Sequence, residues 1–235
     1  MRIGSIICFI VFCILISGCS KDNGSTDVPA INAANALTPD NEPDKPRIIA
    51  FGDSLTAGFG LSDPKKSYPS LLQDLLTREG FDYQVVNLGL GGDTSTGGLK
   101  RLWLALEYKN VKVFILELGA NDVVKKTSAG EIKANLAEII KQVKTSGAKL
   151  ILCGVAAPTS LGDEYSTEIR EMYAELAKEY DLPLIQDFMQ DVRGNPDRLL
   201  ADGIHPNEKG AQVIEQNVRA VVKTLLAKND ETQKK

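Results

Sequence analysis

The sequence predicts an α/β protein, a three-layer αβα sandwich built on a five-stranded parallel sheet. Three observations carry that prediction. Five short apolar runs, Ile48 to Phe51, Tyr83 to Leu88, Val111 to Leu118, Leu150 to Val155 and Leu182 to Phe188, are β-branched or leucine-rich, and none alternates cleanly with polar residues. Strands of that kind are buried on both faces. Between the runs lie longer stretches with apolar residues at helical spacing. Strict alternation of strand and helix implies right-handed crossovers and a parallel sheet covered by helices.

The helices follow in order. Leu71, Leu72, Leu75 and Leu76 mark the first, and Leu99, Leu102, Trp103 and Leu106 the second. Ile132, Leu136, Ile139, Ile140 and Val143 form the apolar stripe of a third, and Ile169, Tyr173, Leu176 and Tyr180 that of a fourth. A fifth follows Pro206, with Ala211, Ile214, Val218, Val222 and Leu225 on one face. The domain is expected to span residues 47–228, with a polar tail at 229–235.

Composition narrows the function. At 235 residues, with 43% hydrophobic and 25% charged content, the chain can bury a substantial core, which excludes disorder throughout. The 27 basic residues against 31 acidic ones give a net charge of −4, so no excess of positive charge exists to neutralise a phosphate backbone. Nucleic acid is excluded as an expected partner.

The N-terminus reads as a targeting segment. After Met1-Arg2, the apolar stretch Ile3 to Ile16 covers roughly 15 residues, short of the ~20 that cross a bilayer as a helix. Its end, Leu15-Ile16-Ser17-Gly18-Cys19, resembles the bacterial lipobox, which implies a lipoprotein signal peptide at residues 1–18 and a diacylated Cys19. Removing it takes Arg2 and none of the acidic residues, so membrane attachment rests on the acyl chains alone. Residues 20–46 are rich in Asn, Asp, Ser, Thr and Pro without apolar periodicity, and read with Cys19 as a lipidated tether. Ser20 after that cysteine resembles an outer-membrane sorting signal, so the expected location is the bacterial cell envelope, on the periplasmic side of the outer membrane in a Gram-negative host. Of the four cysteines, Cys153 then remains as a core thiol with no partner for a disulfide.

In a parallel sheet of this kind, ligands bind outside the carboxyl ends of the strands. Polar residues that follow strands are therefore the candidates. Gly52-Asp53-Ser54-Leu55 follows the first run, where Ser54 would present a hydroxyl to the crevice, and where Asp53 or Ser54 equally suits a helix cap. Gly89-Leu90-Gly91-Gly92 follows the second, and its glycines would admit a ligand close to the backbone or serve a turn. Gly119-Ala120-Asn121-Asp122 follows the third, with Asn121 either an amide donor or part of a turn. Asp202-Gly203-Ile204-His205 holds the only histidine, with a carboxylate three residues away to orient the ring and leave its other nitrogen free as a base. Serine, acid and histidine with convergent N–H donors are what nucleophilic acyl transfer requires.

These four blocks, in this order, resemble those of the SGNH, or GDSL, hydrolase family, and the likeness runs from about Ile48 to Leu226. It implies the flavodoxin-like fold of that family. It also implies that Ser54 attacks an acyl carbonyl, His205 acts as general base and then acid, and Asp202 orients His205. The oxyanion hole would be the N–H groups of Ser54 and Gly92 with the side-chain amide of Asn121; Gly92 is preferred to Gly89 and Gly91 because it directly precedes Asp93-Thr94. The Gly-Asp-Thr-Ser run and Gly98 to Leu102 are similar to the thioesterase, lysophospholipase and arylesterase branch. Val123-Val124-Lys125-Lys126 departs from it beside the expected acyl pocket. The expectation is a serine esterase acting on acyl esters or thioesters, with no cofactor and no metal. The alternatives are a carbohydrate O-acetylesterase of the same fold, a lipid-anchored binding protein without turnover, and a metal-dependent phosphoesterase using Asp53, Asp93, Asp122, Asp202 and His205.

Overall fold

The computed structural model describes residues 45–233. The expected signal peptide, Cys19 and nearly all of the tether lie outside the described residues. A parallel sheet is formed by β1 (Arg47–Gly52), β2 (Gln84–Gly89), β3 (Val111–Glu117), β4 (Lys149–Cys153) and β5 (Leu184–Ile185). Its order is β2-β1-β3-β4-β5, so the chain reverses direction across the sheet between β1 and β3. That reversal opens the crevice in which doubly wound folds bind ligands.

Side chains leave the sheet alternately, which is why both faces need apolar residues. Ile49, Phe51, Phe114, Leu116, Leu150 and Leu152 point to one side. There they pack on α3 (Ser95–Leu106), α5 (Ala129–Thr145) and α6 (Asp163–Tyr180). Ile48, Ala50, Val113, Ile115, Ile151 and Cys153 point to the other, against α2 (Tyr68–Arg78) and α7 (Glu208–Gln233). The fully buried Leu136 and Ile139 on α5 illustrate the strength of this packing, at about 1.5–3 kcal/mol for each large side chain withdrawn from water. Ser128 fixes the start of α5, its side chain accepting from the Glu131 N–H.

Two short helices carry the site: α1 (Ser54–Ala57) directly after β1 and α4 (Ala120–Val124) directly after β3. Apolar periodicity does not reveal elements of one turn. The fifth strand is much shorter than the run from Leu182 to Phe188. Leu182 donates to Ala177 O in closing α6, Pro183 has no N–H, and the Asp187 side chain accepts from Met189 N to turn the chain away. Residues 229–233, set apart as a tail, continue α7 instead. Neither proline nor glycine interrupts that stretch.

Candidate active site

Ser54 is the first residue of α1, and Asp53 sets it there. The Asp53 Oδ1 accepts the Leu55 N–H at 2.9 Å, capping the turn, and Gly58 closes it with a left-handed φ of 78° and an N–H to Ser54 O at 3.1 Å. A side chain on Gly89 would run into the backbone of Thr56 and Ala57, so its lack of one lets β2 lie against this turn.

His205 comes from the long connection between β5 and α7. The segment before it is a loop closed by a single antiparallel bridge between Leu199 and Pro206, together with Leu200 N to His205 O at 2.8 Å; it is not a strand. Asp202 uses both oxygens there. Oδ1 accepts the backbone N–H groups of Ile204 and His205 at 2.9 and 3.0 Å, and Oδ2 lies 2.7 Å from His205 Nδ1. Those two backbone N–H bonds, with the imidazole beside them, lower the Asp202 pKa to about 2. An ionised Asp202 accepts from Nδ1–H, which leaves Nε2 to accept the Ser54 hydroxyl at 3.1 Å. The Phe59 ring packs on the imidazole, centroids 4.7 Å apart.

Behind Ser54 lies a buried acid pair that the sequence reading passed over. Glu117, at the end of β3, accepts from the Thr56 hydroxyl at 2.8 Å and the Asp53 N–H at 3.3 Å. Burial, then the Asp53 charge, raise the Glu117 carboxyl well above its usual range, and burial raises Asp53 to about 6. Glu117 is the neutral partner, and its Oε1 is buried with no hydrogen-bond partner among the described residues.

The three candidate oxyanion donors face one cleft of about 610 Å³, lined by Ser54, Gly92, Asn121 and His205 with Phe59 and Leu61. The Ser54 and Gly92 N–H groups have no acceptor among the described residues. Gly92 holds a φ of 77°, whereas the Gly89 N–H is already taken by Asn87 Oδ1. Asn121 Nδ2 donates to Asp93 O at 2.8 Å and to Asp53 Oδ2 at 3.1 Å. An oxyanion would share or take over the longer of these bonds.

Asp93, Arg101 and Asp122 support the donors; from sequence Asp93 and Asp122 were offered only as metal ligands, and Arg101 was not singled out. Asp122 accepts from Ser95 N and Ser95 Oγ, both at 2.7 Å, tying the asparagine loop to the start of α3. The available signal was a buried-looking charge: Arg101 precedes Leu102 on the inward side of α3, where an unpaired cation would be costly. The carboxylates considered for a metal are dispersed in these duties. Among the described residues no three His, Cys, Asp or Glu side chains converge to hold an ion. Cys153 is fully buried in β4, beside Glu117 on β3, and does not line the cleft.

The sequence profile of the GDSL-like lipase/acylhydrolase family matches residues 50–213. The chain is 34% identical over 179 residues to Esterase TesA of Pseudomonas aeruginosa, covering 76% of this chain and 89% of that protein. It is also 34% identical over 160 residues to the thioesterase 1/protease 1/lysophospholipase L1 of Escherichia coli K12, covering 68% and 75%. Among solved structures, the psychrotrophic esterase EstA from Pseudoalteromonas sp., inhibited by monoethylphosphonate, superposes with a TM-score of 0.73 at 29% identity, over 77% of this chain and 98% of that one.

Proposed function

The chain belongs to the GDSL-like lipase/acylhydrolase family, whose members here are ester hydrolases of the SGNH fold, and on that premise we propose that Ser54, His205 and Asp202 hydrolyse carboxylic esters or thioesters through an acyl-enzyme. The observation that carries this reading is the continuous path from Asp202 Oδ2 through the imidazole to Ser54 Oγ, at 2.7 and 3.1 Å.

The geometry supplies each step. Ser54 Oγ attacks the acyl carbon as its proton passes to His205 Nε2, and the imidazolium is held by ionised Asp202. The carbonyl oxygen, now an anion, is met by the N–H groups of Ser54 and Gly92 and by Asn121 Nδ2. His205 returns the proton to the departing alcohol or thiol. A water then enters by the same route, His205 takes its proton, and the acid is released with Ser54 restored.

The half-exposed apolar side chain of Phe59 beside Leu61 at the cleft suits an acyl or aryl group, and supports lysophospholipids, acyl thioesters and aryl esters as substrates. Attachment to the cell envelope through a diacylated Cys19, facing the periplasm, completes the proposal; the apolar run ending in Leu15-Ile16-Ser17-Gly18-Cys19 supports it. The test is hydrolysis of a short-chain p-nitrophenyl ester by a fragment starting near Pro46. Turnover that survives Ser54→Ala would overturn the reading. Retention of radiolabelled palmitate by the full chain but not by Cys19→Ala tests the anchor.

A further inference from the structure

Resting on the acyl-transfer reading of the cleft, we propose that Arg101 is a positioning residue whose guanidinium holds the three oxyanion-hole loops in mutual register. Its side chain is only 11% exposed and does not line the cleft, so it meets no reacting atom. Nε donates to Asp93 Oδ2 at 2.6 Å, one amino group donates to Leu88 O at 2.8 Å, and the other donates to Gly52 O at 2.9 Å. The group also lies 3.9 Å above the Phe51 ring.

Each acceptor belongs to a different part of the hole. Gly52 is two residues before Ser54 at the end of β1. Leu88 is the last residue but one of β2, just before the glycine loop. Asp93 follows Gly92 directly, and its own carbonyl receives Asn121 Nδ2 at 2.8 Å. One planar fork therefore reaches the backbone before the first donor, the residue beside the second and the acceptor that aims the third. Arginine suits this task because its donors are fixed in a plane. A lysine would bring one mobile ammonium to the same space. Asp93 is itself confined, its Oδ1 taken by Thr94 N at 3.0 Å and its surroundings closed by Gly97, where any side chain would collide with that carboxylate.

Oxyanion donors act only when aimed at the position of the developing charge, and a shift of about 1 Å costs on the order of 10²-fold in rate. Steady-state hydrolysis of p-nitrophenyl butyrate should be compared for wild type, Arg101→Lys, Arg101→Met and Asp93→Asn, each well below its Tm, together with inhibition by phenylboronic acid, which forms a tetrahedral adduct. The expected result is a kcat lower by roughly 30- to 100-fold in the Arg101 variants and about 10-fold in Asp93→Asn, with KM within about threefold and the boronate inhibition constant rising in step with the loss in kcat/KM. Lower Tm with unchanged kcat, unchanged boronate affinity, or failure of all three variants to fold would make the role structural and overturn the inference. An inactive wild type, or activity surviving Ser54→Ala, overturns the reading of the site and this inference with it. An active wild type with unimpaired Arg101→Lys overturns the inference alone.

Discussion

Ser54 Oγ stands 3.1 Å from His205 Nε2 although 151 residues separate them in the chain. The contact exists because β1 and the loop before α7 end on the same side of the sheet. Ser54→Ala removes the proposed nucleophile while leaving the capped turn intact, and should lower kcat on an aryl ester by about 10³-fold or more with unchanged Tm.

Asp202 is part exposed, and its pKa of about 2 lies below the ordinary 3.8. A lowered carboxyl contributes stability that is present above the unfolded value and lost as pH falls toward the folded one. The Tm difference between wild type and Asp202→Asn should therefore be constant from neutral pH down to about 5 and close between 3.8 and about 2. Because water can still reach the ring, the loss in kcat should be about 10²- to 10³-fold, smaller than at a fully buried acid. Differential scanning fluorimetry across pH and steady-state kinetics check both.

Asn121→Ala withdraws one proposed oxyanion donor and leaves Asp53 Oδ2 and Asp93 O each short of a hydrogen bond. A kcat reduced by about 10²-fold with little change in KM is expected, and a stability loss of about 1–3 kcal/mol in urea unfolding.

Glu117→Gln reports on the buried acid pair. Gln can accept from Thr56 Oγ1 and Asp53 N as Glu117 does, and it has no proton to lose as pH rises. A carboxyl raised by burial contributes fully below its unfolded pKa, and that contribution is lost as pH rises through the folded value. The variant should thus lie within about 1 kcal/mol of wild type at pH 6 and gain on it as pH rises, measured by urea unfolding at both ends. A widening loss at high pH would contradict a neutral Glu117.

The glycine loop separates by role. Gly89→Ala would drive a methyl group into the Thr56–Ala57 backbone and should prevent folding, seen as loss of the cooperative thermal transition. Gly91→Ala meets open space and should be close to neutral in both stability and kcat. Gly92→Ala also meets open space but must hold a φ of 77°, at about 1 kcal/mol, and should lower kcat by moving the N–H.

Much of this was legible in the residues. The runs around Ile49, Phe114 and Leu150 alternate their side chains between two cores, and such runs announce a doubly covered sheet. Asp202 and His205 announce each other by sitting three residues apart. Arg101 and Glu117 were harder to see, because their roles depend on partners 49 and 61 residues away, across a sheet whose strand order only the folded chain reveals. The choice among Gly89, Gly91 and Gly92 likewise turns on backbone angle and on what a methyl group would strike, which three identical letters cannot express. The fifth strand shortened because Pro183 and Asp187 act on single hydrogen bonds, below the reach of an apolar count.

The most direct measurement is intact mass spectrometry after exposure to an aryl organophosphonate, followed by peptide mapping. Activation of one hydroxyl by His205 predicts a single adduct on Ser54 that abolishes ester hydrolysis in proportion to its formation and is lost in His205→Ala. A protein that hydrolyses esters while Ser54 stays unlabelled, or that labels equally without His205, would contradict it.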